Sequence, residues 1–185
     1  MRKIKFRAWD EDAEKMVYSP CGNGERDYYI GWNGDDGTWT MMYDHRGKYN
    51  CLDNLMQYTG IDAEDGREIY EGDIVETLDH SESAEVIFLD GAFMLKFICD
   101  DSTGELPNYL VRILGNIYEN PNLPAELERA DMEERYRYLL GRLNIKGDMD
   151  EQATIAGNVR RIGKELGYDK AKVQQDIQAE YNKLK

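Results

Sequence analysis

Two hydrophobic periods divide this sequence, and the change between them lies between Asn120 and Pro124. Before this point, apolar and polar residues alternate over short runs, as they do in strands with one buried face. After it, apolar residues recur three or four positions apart, and Pro124 stands at the expected first turn of a helix. We therefore predict an α+β fold, with a mostly β domain over residues 1–123 and a segment of three helices over residues 124–185.

Turn-forming residues separate the predicted strands of the first domain. Asn33–Gly37 lies between two aromatic-rich runs, and Asp90–Gly91 lies between two further strands. Asn, Asp and Gly adopt positive φ at low cost, so both segments predict hairpins. The first predicted strand is Lys3–Trp9. Its apolar face is formed by Ile4, Phe6 and Ala8, and its cationic face by Lys3, Lys5 and Arg7.

The segment YTGIDAEDGREIYEGDIVE (Tyr58–Glu76) allows three interpretations: a calcium loop, a pair of catalytic acids, or a hairpin. With Gly66 at the sixth position of a calcium loop, the first, third and twelfth positions lack side-chain oxygens. Acidic residues are frequent throughout the domain, so neighbouring pairs are expected without catalysis. We therefore interpret the segment as a hairpin that turns at Asp65–Gly66, followed by a tight turn at Glu71–Asp73 that leads into a strand.

Three blocks of this sequence resemble the YopX family of bacteriophage and prophage proteins: MRKIKFRAWDEDAEKMVY, LMQYTGIDAEDGREIYEGDIVE and ILGNIYENPNL. The resemblance covers residues 1–123. It implies a mostly β fold with an SH3-like barrel and inserted hairpins, and a phage or prophage origin. It implies no activity, and residues 124–185 lie outside it.

The net charge of −14 is concentrated in the first part of the chain. Residues 1–124 contain 11 Lys and Arg against 25 Asp and Glu, whereas residues 125–185 contain 12 of each. An acidic surface repels nucleic-acid phosphates and membrane anions. The charge therefore favours a basic protein partner, or serves solubility alone.

Other function classes lack their usual signals. The chain contains no Cys-x-x-Cys, phosphate loop, nucleophile elbow or zinc motif, and its two histidines are isolated. No apolar run has the length of a membrane span, and the N-terminal residues lack the apolar stretch of a signal peptide. We expect a protein of the bacterial host cytoplasm that is not an enzyme and binds no metal, cofactor or membrane. An oligomer is compatible with the sequence.

The last third of the chain has three apolar stripes and a segment with helix-turn-helix spacing. In that segment, residues 155–181, Gly167 is the expected turn and Asp169 the expected cap of a second helix. Three interpretations are open: a plain helical bundle, a DNA-binding element, or a docking surface for a protein. The candidate contacts to DNA or to a partner are Arg160, Arg161, Lys164, Lys170, Lys172, Gln174 and Gln175.

Aromatic residues of the hairpin predicted at Asn33–Gly37 are a further candidate surface. We expect Trp32, Trp39 and Tyr43 to be exposed. Exposed aromatic rings on a sheet stack on bases or anchor a partner protein; the alternative is that they only stabilise the hairpin as cross-strand pairs. Taken together, these features favour a phage or prophage accessory protein that acts by protein–protein binding. One form of such a protein is an acidic inhibitor of a host nucleic-acid-binding or defence enzyme. The alternative is a DNA-binding regulator that uses residues 155–181.

Overall fold

The chain divides into two units between Pro124 and Ala125. The computed structural model describes residues 4–19, 21–22, 27–33, 37–45, 48–52, 54–79, 81–143 and 148–183. Its compact units are Met1–Pro124 and Ala125–Lys185. The first, here called the β unit, is built from strands, and the second, here called the helical unit, is built from helices. The predicted α+β class, with a mostly β first part followed by three helices, is confirmed.

Thirteen strands and one 3-10 helix occur among the described residues of the β unit. The strands are β1 (Phe6–Asp10), β2 (Lys15–Ser19), β3 (Cys21–Gly22), β4 (Asp27–Asn33), β5 (Thr38–His45), β6 (Lys48–Leu52), β7 (Met56–Asp62), β8 (Glu68–Tyr70), β9 (Asp73–Thr77), β10 (Ser83–Leu89), β11 (Ala92–Phe97), β12 (Thr103–Glu105) and β13 (Val111–Asn116). The 3-10 helix, Leu106–Asn108, precedes the last strand.

The described strands pair into three antiparallel sheets, with orders β2-β1-β7-β8, β12-β11-β10-β9-β13 and β3-β4-β5-β6. The mostly β first part of the chain contains a curled half-barrel sheet. Along β10, Ala84 and Val86 are buried, while Ser83, Glu85 and Ile87 are partly exposed. This alternation places one face of the sheet on a core that also contains Val75 and Leu95.

The predicted turns of the β unit are confirmed where the structure describes them. Gly66 and Gly72 have φ of +81° and +77°, and the turn between β10 and β11 has φ of +51° at Asp90 and +86° at Gly91. The tip of the predicted hairpin at Asn33–Gly37 includes residues 34–36, which lie outside the described residues. Its strands nevertheless pair as predicted, with Trp32 opposite Trp39.

The prediction for the first strand is partly wrong. The strand begins at Phe6, and Ile4 is 68% exposed. Ala8 is buried as expected, but Arg7, on the predicted cationic face, is only 5% exposed. The reason is an ion pair between Arg7 and Asp73, which is the first residue of β9. Alternation along one strand cannot reveal a partner that lies on a distant strand.

The helical unit contains α1 (Leu123–Gly141, which begins just before the unit), α2 (Met149–Glu165) and α3 (Lys170–Lys183). The predicted apolar stripes meet in one core, formed by Met132, Tyr136, Leu139, Leu140, Leu143, Ile155, Ala156, Val159, Ile162, Leu166, Tyr168, Val173, Ile177 and Tyr181. None of the helices in the described residues combines the length and apolar character that crossing a membrane requires.

Asp148 caps α2. Its Oδ1 accepts hydrogen bonds from the backbone N–H groups of Asp150 (2.8 Å) and Glu151 (3.1 Å). Such a cap satisfies amide groups that have no partner within the helix. The Glu151 carboxylate binds Arg142 Nη2 at 2.8 Å, which ties the start of α2 to the segment that follows α1.

Candidate functional site

A groove on the helical unit brings together five of the seven candidate contact residues. Its volume is about 530 Å³, and it lies between the C-terminal half of α2 and the first turns of α3. The buried Val173 and the Tyr168 ring contribute its apolar wall. The candidate residues that line it are Arg160, Arg161, Lys164, Lys170 and Gln174.

The charged residues that line this groove in the described part of the chain are all basic. None of the described residues that line it is acidic. Within the described part of the chain, Arg160, Lys164 and Lys170 form no ion pair, and Arg161 Nη1 lies 3.2 Å from Glu165 Oε1 on the exposed surface. Exposed ion pairs are screened by water and salt, so the cationic character of the groove is largely retained.

Lys172 and Gln175, the other two candidate residues, lie on α3 outside the groove lining. Both are exposed. The Lys172 ammonium lies 3.2 Å from the centre of the Tyr168 ring, a cation–π contact. This contact holds a positive charge at the junction of the two helices.

A glycine sets the close approach of α2 and α3. A Cβ added at Gly163 would lie 2.7 Å from Val173 Cγ2 and 3.1 Å from Tyr136 Cε2. Real Cβ atoms essentially never approach another atom as closely as 2.7 Å. A larger residue at Gly163 would therefore force α2 and α3 apart or displace Val173. Gly163 therefore has a packing role between α2, α3 and α1.

The turn between α2 and α3 is defined by hydrogen bonds at both ends. The backbone N–H of Tyr168 donates to Gly163 O (2.8 Å) and that of Gly167 donates to Lys164 O (3.0 Å), the pattern of a Schellman motif. Gly167 has the positive φ, +78°, that this motif requires. Asp169 Oδ1 then accepts the Lys172 N–H at 2.7 Å and caps α3, so both predicted roles are confirmed.

A tyrosine of α1 binds Asp176, one of the two acidic residues of α3. Tyr136 Oη in α1 donates to Asp176 Oδ2 at 2.9 Å. Burial, with the hydrogen bond and the negative charge of Asp176 adding to it, raises the pKa of Tyr136 well above its ordinary value. The pair positions α3 against α1, and Asp176 does not line the cationic groove.

In the β unit, Trp32 and Trp39 form an exposed aromatic pair. They are 56% and 62% exposed, and their ring centres lie 5.8 Å apart across β4 and β5. The predicted exposure of Tyr43 is wrong, because it is 3% exposed and packs 5.2 Å from Tyr28 in a core with Met41. Alternation puts both tryptophans on the same face as Tyr43, so they extend the buried face beyond its core.

A cavity of about 640 Å³ in the β unit combines aromatic and acidic walls. Its lining includes Trp9, Glu11, Asp12 and Tyr118. Asn54 fixes one wall, because its amide group exchanges hydrogen bonds of 2.9 and 3.0 Å with the backbone of Trp9. Burial raises the pKa of Tyr118, and nearby carboxylates, including Glu11, raise it further. The cavity therefore has a negative potential that suits a cationic group.

The buried pair Arg7–Asp73 is the polar feature that sequence reasoning missed. Arg7 Nη2 lies 2.6 Å from Asp73 Oδ1, and Asp73 Oδ2 accepts the Tyr70 N–H at 2.8 Å. Burial raises the pKa of Asp73, while the Arg7 guanidinium opposes this shift. The sequence predicts the tight turn at Glu71–Asp73, in which an Asp side chain commonly accepts a nearby backbone N–H, but no local signal marks Arg7 as the partner of Asp73.

Comparison with known proteins gives a family match for the first part of the chain. The model of the YopX protein family matches residues 5–124. The crystal structure of protein yopX from Bacillus subtilis is 23% identical to this chain, with a TM-score of 0.44, and the match covers 66% of this chain and 98% of that one. Protein EF1440 from Enterococcus faecalis is 26% identical, with a TM-score of 0.42, covering 67% of this chain and 99% of that one. No curated protein matches this chain.

Proposed function

Since this chain belongs to the YopX protein family through residues 5–124, we propose that it is a bacteriophage or prophage accessory protein that acts by binding another protein. The binding surface is the acidic β unit. The proposal places the protein in the cytoplasm of a bacterial host, where a partner with a basic surface is its target.

The observation that carries this proposal is the Trp32–Trp39 pair. Two large aromatic side chains, each more than half exposed, stand side by side on a single face. Tryptophan is enriched among the residues that dominate binding at protein interfaces, because one side chain buries a large area with few rotatable bonds. The pair also stabilises the hairpin, but that role alone does not require both rings to remain exposed.

The charge of the β unit defines the partner. It combines 25 acidic with 11 basic residues in the sequence, so a basic surface is attracted to it and nucleic acid is repelled. Carboxylates on such a surface substitute for phosphates in a groove that normally holds nucleic acid. The proposed target class therefore includes nucleic-acid-binding enzymes of the host, among them enzymes of defence or replication. The β unit itself is not expected to bind duplex DNA, because its acidic residues repel phosphates.

The experiment is affinity capture from a nuclease-treated bacterial lysate with three baits: the wild-type protein, Trp32→Ala/Trp39→Ala, and Tyr138→Ala. Tyr138, on the helical unit, is 61% exposed and serves as the matched aromatic control. We expect a basic protein that the wild type and the Tyr138 variant retain and the double variant loses. The same proteins on all three baits, or none on the wild type, would overturn the proposal.

A further inference from the structure

We propose that the helical unit binds duplex DNA, with α3 entering the major groove and the cationic groove contacting one phosphate strand. This function goes beyond protein binding by the β unit and uses a different surface. The helical unit also lies outside the family match, which ends at residue 124.

The connection between α2 and α3 has the length and chemistry of a helix-turn-helix. Four residues separate Glu165 from Lys170, and Gly167 among them has the left-handed conformation. Two helices joined by a turn of three or four residues that often contains glycine are typical of this motif. The contact of Gly163 with Val173 brings the helices close, and Asp169 caps the start of α3.

The position of positive charge suits a phosphate strand. Arg160 and Lys164 lie one helical turn apart on α2, and Lys170 faces them from α3 across the groove. In the described part of the chain these three side chains have no carboxylate partner to displace. Arginine and lysine side chains that contact phosphates release condensed counterions from DNA. This release is the main source of the nonspecific affinity of proteins for DNA.

The exposed face of α3 carries groups that read base edges. Gln174, Gln175 and Gln178 are exposed, and Lys170 and Lys172 stand in the first turn. Glutamine pairs with the N6 and N7 positions of adenine through two hydrogen bonds, and the first turns of a recognition helix are the part that meets base edges. Asp176, on the same helix, is held by Tyr136.

An acidic protein segment is the other occupant that this charge would attract. The glutamines favour DNA, because they supply a donor and an acceptor for each base edge, whereas a carboxylate partner uses donors alone. The test separates the two by competition with poly-glutamate, a polyanion that has no base edges.

The experiment measures binding of the full-length protein to a fluorescein-labelled random duplex by anisotropy at several salt concentrations. We expect a dissociation constant of roughly 1–100 µM near physiological salt, rising steeply as salt increases. Arg160→Ala/Lys164→Ala should reduce the slope of log affinity against log salt by about two, because two phosphate contacts are lost. The matched control is Arg129→Ala/Arg137→Ala, which removes two exposed charges from α1.

Circular dichroism of each variant shows whether its helices are intact.

A Gln175→Ala variant should lose about tenfold in affinity for a duplex selected by the wild type, and little in affinity for a random duplex. Three results would each overturn the proposal. The first is no binding to duplex DNA at low salt, and the second is an equal decrease of the salt slope in the α1 control variant with its helices intact. The third is displacement of the duplex by poly-glutamate at an equal concentration of charge.

Discussion

Arg7 and Asp73 form a buried ion pair that joins β1 to the start of β9, with 2.6 Å between Nη2 and Oδ1, although they are 66 positions apart in the sequence. The Arg7 guanidinium also lies 4.8 Å from the centre of the Tyr70 ring. Among the described side chains, Arg7 Nε is buried with no hydrogen-bond partner. Besides Asp73, Arg7 Nη2 donates one long hydrogen bond of 3.3 Å to Glu71 O, which compensates little of the buried charge if Asp73 is neutralised.

Asp73→Asn should destabilise the β unit by about 3–5 kcal/mol, because Arg7 then remains buried as an uncompensated charge. The measurement is urea unfolding followed by tryptophan fluorescence, since all three tryptophans lie in the β unit. Arg7→Leu/Asp73→Asn removes both charges and should recover part of the loss. Asp65→Asn, at the exposed pair with Arg67, is the control and should change much less. A loss equal to that of the control would contradict the prediction.

Gly72→Val should destabilise the β unit by about 1–3 kcal/mol through backbone strain, since its φ is +77°. A side chain here also meets Ile117, because a Cβ would lie 3.3 Å from that residue. Gly66→Val is the comparison: its φ is +81°, but a Cβ would meet nothing within 4 Å. Thermal unfolding should show the larger loss at Gly72, and equal losses would mean that Ile117 adjusts freely.

Gly163→Ala and Gly157→Ala lie in the same helix and should have opposite effects on the helical unit. The first places a methyl group against Val173 and should destabilise by about 1–3 kcal/mol through overpacking. The second meets nothing within 4 Å and should stabilise by about 0.5–1 kcal/mol, because alanine has the higher helix propensity. Thermal unfolding at 222 nm measures both. Stabilisation by both variants would refute the close approach of α2 and α3.

Alkaline pH should destabilise the helical unit through Tyr136. Its folded pKa is raised above the ordinary value of 10.0, chiefly by burial. Above about pH 10 the unfolded phenol loses its proton while the folded one retains it, so stability is complete below this pH and falls as pH rises. Tyr136→Phe should make helix stability less dependent on pH above 10, although it also removes the Asp176 contact. An unchanged pH dependence in urea titrations at 222 nm would sink this prediction.

Local signals in the sequence determined much of the fold. The turns at Gly66 and Gly167, and the cap at Asp169, depend on residues within five positions of each other, so the order of residues alone reveals them. The stripes of the three helices also follow from spacing, and they indicate a buried face without identifying what covers it.

Tertiary structure decided which of these side chains act together. Arg7 lies inside because a carboxylate distant in sequence lies beside it, and Tyr43 is buried while Trp39 on the same face is exposed, because only Tyr43 reaches the core. The sequence marked Arg160, Lys164 and Lys170 as cations, but their shared groove depends on how closely α2 approaches α3. Burial and ion pairing depend on neighbours brought together by folding, whereas turns and caps are completed within a few residues of chain.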